Sequence, residues 1–347
     1  MPIGLYLRDA DPVAVEFAIG TGATLIAVDG PLESHLAGVI ELAGRRALVG
    51  SELGACHVVT SFDDAAAPAG AAGTVLLDLR AAMDRLLAGE EAAAFPTPFD
   101  LGLGRPPLVL LSGMLGDASL WDRVAGRLAD VVVPVPLRID LDDTITEMAA
   151  SVLAAAPPSF VLAGHSLGGI VALEILRQAA DRVRGVALVA TSARGPSDVQ
   201  IEAWRNAGER TRAGGFDDVA ADLARATLGE NARADARLVE HNLRMSRAVG
   251  GEGFLRQLAA QASRPESRPH LADVDVPALV VSGELDTICP PDLQRELAAG
   301  LSTSSLVEIA GSGHMVPIEK PDELAEQLRR WLTDAVLGAD ESAQLVQ

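Results

Sequence analysis

Lysine is nearly missing from this chain. Lys320 is the only one among 28 basic residues, so the positive charge is almost entirely guanidinium. That sign of charge is also outnumbered, since 48 acidic residues leave a formal net charge of −20 spread along the sequence. Such a surface repels phosphate backbones, and aromatics at only 3% supply no stacking platform for single strands, which argues against a nucleic-acid partner. No apolar run approaches the roughly 18 to 20 residues that span a bilayer. The first residues, Met1 to Tyr6, lack a basic segment followed by a sustained apolar one. A soluble, cytoplasmic protein without a membrane anchor is expected. The two cysteines, Cys56 and Cys289, lie far apart without metal-ligand neighbours and read as buried thiols. His35, His57, His241 and His270 have no metal-binding spacing and read as packed or solvated. Neither a metal nor a cofactor is expected.

What is present is length and apolar bulk: 347 residues, 49% hydrophobic, suit a large domain plus a smaller one. The smaller is expected over 1–95. There, strand-like runs at Ile3 to Leu7, Thr24 to Val28, Ala47 to Val49, His57 to Thr60 and Thr74 to Leu77 alternate with helix-like ones in a βαβ rhythm. Asp29, Glu52 and Asp78 fall near the carboxyl ends of these strands, where parallel sheets put ligands. Asp29-Gly30-Pro31 is nevertheless an ordinary turn and helix cap, and acidic residues are abundant, so no metal site is assigned. This part faintly resembles the first βα units of an aldolase-type barrel but is too short to close one. The exposed edges of such a half-sheet would dock on the second domain or on another copy of the chain, giving a homo-oligomer through the amino-terminal domain. A segment rich in proline and glycine, from Glu90 to Pro107, then reads as a linker.

The larger domain is expected over 105–340. Strand-like runs at Leu108 to Leu111, Val131 to Val135, Phe160 to Ala163, Val186 to Ala190, Ala278 to Val281 and Leu306 to Ile309 are near-continuously apolar, as parallel strands buried on both faces require. Helices are expected over Ser119 to Ala129, after Ser166, and from Pro321-Asp322 onward. Trp121 reads as packing. Between Thr191 and about Leu271 the strands give way to helical runs broken at Gly214-Gly215 and Gly250-Gly251, with Trp204, Leu223, Phe254 and Leu258 among the inner-face residues. This insertion, over about 195–270, would lie above the carboxyl ends of the sheet as a lid.

The chemistry concentrates at Gly164-His165-Ser166-Leu167-Gly168-Gly169, which follows the apolar run ending at Ala163. Gly164 and Gly168 permit a tight strand-to-helix reversal that exposes the Ser166 hydroxyl, and the Leu167 amide at the start of the next helix can face a developing oxyanion. His165 is expected to turn away from the nucleophile in a structural role. A serine hydroxyl needs a base, and that base a buried carboxylate. Both are on offer: SGELD at 282–286 leads from a strand into a loop that ends at Asp286, and GSGHMVPIEKP at 311–321 follows the last strand with His314.

In their order and spacing these three motifs resemble the α/β-hydrolase family, and the resemblance covers residues from about 105 to 335. It implies an α/β-hydrolase fold, mostly parallel sheet with a helical lid insertion. It also implies Ser166 as nucleophile, His314 as base and Asp286 as supporting acid, with Asp198 the alternative acid because some relatives place the carboxylate after the preceding strand. The family's second oxyanion donor lies two residues after the His of a His-Gly pair. Here Ser112-Gly113 stands in that place, and the amide of Met114 becomes the donor beside that of Leu167. Ser112, Gly113 and Trp204 are expected to contact substrate. The implied reaction is hydrolysis of an ester or thioester of a small, largely apolar molecule through an acyl-enzyme. A lactonase, a carbon–carbon hydrolase, a lyase or a non-catalytic binding module of the same fold are the alternatives. The elbow serine argues against the branches that use Asp there.

Overall fold

The computed structural model describes residues 105–337 and, nearer the amino terminus, five strands: β1 Ile3–Leu7, β2 Leu25–Val28, β3 Arg46–Val49, β4 Cys56–Val59 and β5 Thr74–Asp78. These are the five runs the sequence marks as strands, because short β-rich apolar runs between polar, Gly-containing stretches have few other solutions. They pair in parallel in the order β3-β2-β1-β5-β4. An aldolase-type order would make β3 and β4 neighbours and keep β1 apart from β5. The likeness to such a barrel therefore does not extend to the strand order. Asp29 and Glu52, the helix-like runs between these strands and most of the linker lie outside the described residues.

From residue 105 the elements are β6 Pro107–Leu111, a 3₁₀ turn at Ala118–Trp121 running into α1 Asp122–Leu128, β7 Val133–Leu137, α2 Ile145–Ala155 and β8 Phe160–His165. Next come α3 Leu167–Ala179, β9 Val183–Val189, then α4 Asp198–Arg210, α5 Phe216–Ala226 and α6 Ala236–Ala262. The chain closes with β10 Ala278–Gly283, α7 Pro291–Gly300, β11 Ser304–Ile309, α8 Val316–Glu319 and α9 Pro321–Trp331. The sheet order is β11-β10-β9-β8-β6-β7, and β6/β8, β8/β9, β9/β10 and β10/β11 all pair in parallel.

Burial follows this order. Every residue of β6, β8 and β10 is buried, as expected of strands covered on both faces, whereas the edge strand β11 leaves Leu306 exposed. The expectation of uniformly buried strands thus fails at the edges. Helix α2 goes unmarked in the sequence reading, although Thr144 caps it by accepting from the Glu147 amide at 3.2 Å. Among the described residues between β9 and β10 there is no strand, and the helical path breaks where expected, at Gly214 with φ +89° and at Gly250 with φ +72°. Leu115, Val219, Phe254 and Leu258 form a core beneath these helices. Trp121 is buried, as its packing role requires.

Candidate active site

The centre is the turn from β8 into α3. Ser166 sits there with φ 52° and ψ −115°, a strained conformation for a residue with a Cβ, held because neighbouring groups fix its backbone. Its amide donates to the Val189 carbonyl at 2.9 Å, and its carbonyl accepts from the amides of Gly169 and Ile170 and from the Thr191 hydroxyl. The reversal is so tight that a Cβ on Gly164 would lie 2.3 Å from the Gly168 carbonyl oxygen, and one on Gly168 would lie 2.4 Å from that of Leu111. Both positions therefore demand glycine.

Two other strand ends bring groups to this hydroxyl. His314 Nε2 lies 3.0 Å from Ser166 Oγ, and His314 Nδ1 lies 2.8 Å from Asp286 Oδ2. With Nδ1 donating to the carboxylate, Nε2 is the acceptor for the serine proton. Asp286 is itself fixed, because its Oδ1 accepts from the amides of Ile288 and Cys289 at 2.8 and 2.9 Å. Burial pushes its carboxyl up, but the hydrogen bond and charge of His314 and these two amides outweigh burial and hold it below its ordinary value. Asp198 occupies the first turn of α4, exposed, and the carboxylate on His314 is that of Asp286.

Other predicted residues distribute unevenly. Met114, Ser166, Trp204 and His314 border a cavity of about 530 Å³. Ser112 and Gly113 do not border it. The Ser112 hydroxyl donates to the Asp117 carbonyl at 2.7 Å, and Gly113 packs so closely on the elbow that a Cβ there would meet Ser166 Cβ at 3.0 Å. That contact seats the Gly113-Met114 backbone beside the serine. Leu167 is the first residue of α3, where an amide has no intrahelical partner.

His165 departs from expectation: rather than turning away, its ring borders the cavity, 5.0 Å from that of His314 between centroids. Its Nε2 donates to the His314 carbonyl at 2.9 Å, and its Nδ1 is buried without a partner among the described residues. Burial, and secondarily the charge of His314, push its pKa down to about 3, so the ring is neutral. Cys289 also borders the cavity, with its thiol pushed up by burial.

The sequence reading misses two residues that hold this arrangement. Glu319 accepts from the amides of Gly313 at 2.8 Å, Met315 at 3.0 Å and Gly229 at 3.2 Å, bracketing His314. Burial raises its carboxyl despite those amides. Gln257, fully buried, accepts from the Leu115 amide at 2.9 Å, next to Met114. Glu319 lies inside the motif that marks His314, whereas nothing near Gln257 in sequence points to the site.

A parallel α/β sheet with a hydrogen-bonded Ser, His and Asp at its strand ends defines the class. The particular match is to the model of the alpha/beta hydrolase family over residues 108–327, and the chain belongs to that family. It is similar to the pimeloyl-[acyl-carrier protein] methyl ester esterase of Pectobacterium carotovorum subsp. carotovorum, 30% identical over 65% of this chain and 94% of the relative. A second similar relative is the enzyme of that name from Yersinia enterocolitica, 28% identical over 65% of this chain and 92% of the relative. Among solved structures, a thermophilic esterase from Thermogutta terrifontis, malate bound, superposes with a TM-score of 0.61 at 27% identity, covering 67% of this chain and 91% of that one. These relatives fit a hydrolase that acts on carboxylic esters. Among the described residues no helix is long and apolar enough to cross a membrane, and no cluster of potential metal ligands occurs.

Proposed function

We propose that the chain cleaves a carboxylic ester of a small molecule through an acyl-enzyme on Ser166. The observation that supports this reading most directly is the unbroken hydrogen-bonded series from Ser166 Oγ through His314 to Asp286, at 3.0 and 2.8 Å. His314 Nε2 takes the serine proton as Oγ attacks the carbonyl carbon. The amides of Leu167 and Met114 receive the oxyanion, and Asp286 stabilises the imidazolium. His314 then gives its proton to the leaving alcohol, and the same steps with water release the acid. The esterase names carried by the relatives favour an ester over the other reactions open to this fold.

In the same reading, residues 1–95 form a separate small domain that pairs copies of the chain, and 105–340 form the catalytic domain. The helices at about 195–270 serve as its lid, contributing Trp204 to the substrate cavity. The enzyme works in the cytoplasm without a nucleic-acid partner, in keeping with its net charge of −20.

A serine-directed fluorophosphonate tests the chemistry. Wild type is expected to be labelled and Ser166→Ala to stay unlabelled, with ester hydrolysis reduced by about 10⁴-fold or more. Folded wild type that takes up no probe would refute the nucleophile assignment.

A further inference from the structure

The cavity that holds Ser166 and His314 has a charge balance opposite to that of the chain as a whole. The sequence has 48 acidic residues, yet no aspartate or glutamate lines this cavity, while Arg194 and Arg264 do. The two arginines differ. Arg194 is exposed and lies against Glu296, with both carboxylate oxygens engaged at 2.9 and 2.5 Å, so its charge is balanced.

Arg264 is only 7% exposed, and each of its hydrogen-bonding partners is neutral. Its Nε donates to the Arg194 carbonyl at 2.9 Å, and its terminal nitrogens donate to Gln261 at 2.7 Å, Gln200 at 3.1 Å and the Gly195 carbonyl at 3.4 Å. The guanidinium also lies over Trp204, 5.3 Å from the ring centroid. No carboxylate among the described residues is within ion-pair distance of it. Glu266, two residues on, is engaged by Arg268 at 2.7 and 2.8 Å. Neutral acceptors orient a guanidinium without cancelling its charge, and a buried cation without a counter-ion is costly. Burial accordingly lowers the Arg264 pKa.

We infer that Arg264 is a substrate-binding residue, and that the ester cleaved at Ser166 carries an anionic group, carboxylate or phosphate, which seats against this guanidinium beside Trp204. The inference rests on the ester-hydrolase reading above and alters its substrate, from largely apolar to acidic. Arg264 bonds to residues at both ends of the helical segment, so a purely structural role is the competing account.

The test compares kcat/KM across five series of matched chain length. They are methyl esters of straight-chain monoacids, monomethyl esters of straight-chain diacids, acetate esters of straight-chain alcohols, acetate esters of straight-chain hydroxy acids, and acetate esters of alcohols bearing a terminal phosphate. Hydrolysis is followed by proton release. Wild type is expected to favour at least one acidic series over its neutral match by about tenfold or more, the size of one hydrogen-bonded charge contact. The favoured series identifies the acid and the side of the ester that bears it. Arg264→Gln should bring that ratio close to one, and Arg264→Lys should restore part of it. A structural role would instead lower both rates together and leave the ratio intact.

A measurement on wild type alone stands apart from folding of the variants: the acidic product of the favoured series should inhibit at least about tenfold more strongly than its analogue with every acid group replaced by a neutral amide or hydroxyl. Neutral esters cleaved as fast as every acidic series would overturn the inference, as would a preserved ratio in Arg264→Gln or equal inhibition by the acid and its neutral analogue. Failure of the ester reading looks different, since wild type would then cleave no series at all.

Discussion

Glu319 shows how much of the site depends on a residue that does not border the cavity. Its two carboxylate oxygens accept from three amides, those of Gly229, Gly313 and Met315, and so fix the backbone on both sides of His314. Glu319→Gln replaces one acceptor with a donor that faces an N–H. His314 should then lose its register against Ser166, and displacements of this kind cost up to about 10²-fold in rate. The expected outcome is a fall in kcat with KM little changed and with a shifted pH profile. Steady-state kinetics across pH would show it, and loss confined to KM would count against a positioning role.

His165 makes a second prediction, on stability. Its native pKa of about 3 lies below the ordinary 6.5, so the unfolded chain binds this proton more readily than the folded one. The sign is that of a depressed group: its contribution is intact above about pH 6.5 and is lost as pH falls toward 3, at up to about 1.4 kcal/mol per pH unit. Urea unfolding at pH 7 and pH 5 should show a steeper loss for wild type than for His165→Asn. The comparison cancels groups common to both proteins that do not interact with His165, whereas Asp286, which raises its pKa, and His314, which lowers it, titrate together with it and belong to the difference. Equal slopes would refute the assignment.

At the scale of elements, the elbow works because β6, β8 and α3 approach within backbone contact. Gly168→Ala would drive a Cβ to 2.4 Å from the Leu111 carbonyl, moving β6 and with it the Met114 amide. Overpacking against backbone should cost about 3 kcal/mol. Gly126→Ala, in α1 with nothing within 4 Å of the added Cβ, should gain about 0.5–1 kcal/mol. Paired chemical denaturation checks both, and a neutral Gly168→Ala would show that the strand end can yield.

The same elements mark how far the chain could be read unaided. Strands and the elbow were legible because an apolar run followed by G-x-S-x-G has few conformational solutions, and Asp286 and His314 because they lie in loops that follow strands. Helix α2 was not, since its buried face of Ile145, Met148, Ala149 and Val152 follows a strand interrupted by Pro134 and Pro136 and carries weak contrast with the alanines around it. Gln257 and Arg264 act through partners distant in sequence, 142 residues away for Gln257 and up to 70 for Arg264, and no local pattern encodes that, whereas Glu319 sits in the His314 motif but takes its third amide from Gly229, 90 residues away. The exposure of Leu306 is equally a matter of sheet order.

Among residues 105–337, these contacts change what the helical segment is. A lid in the simple sense covers a site that is complete without it. Here the Thr227 carbonyl accepts from the His314 amide at 3.2 Å, Gly229 donates to Glu319, and Gln257 holds the Leu115 amide beside Met114. Three of the supports for His314 and for the backbone at Leu115 therefore come from the segment itself, and Phe254 and Leu258 pack with Leu115 in one core. Removing residues 200–265 should consequently do more than widen substrate choice. It should leave His314 without its backbone partners and expose that core, so that fluorophosphonate labelling of Ser166 falls by about 10²-fold or more even where circular dichroism reports a retained sheet. A truncated protein that labels at the wild-type rate and merely accepts bulkier esters would show the segment to be a detachable cover. The contacts at Thr227, Gly229 and Gln257 predict the opposite, that the helical segment also holds His314 in place against Ser166.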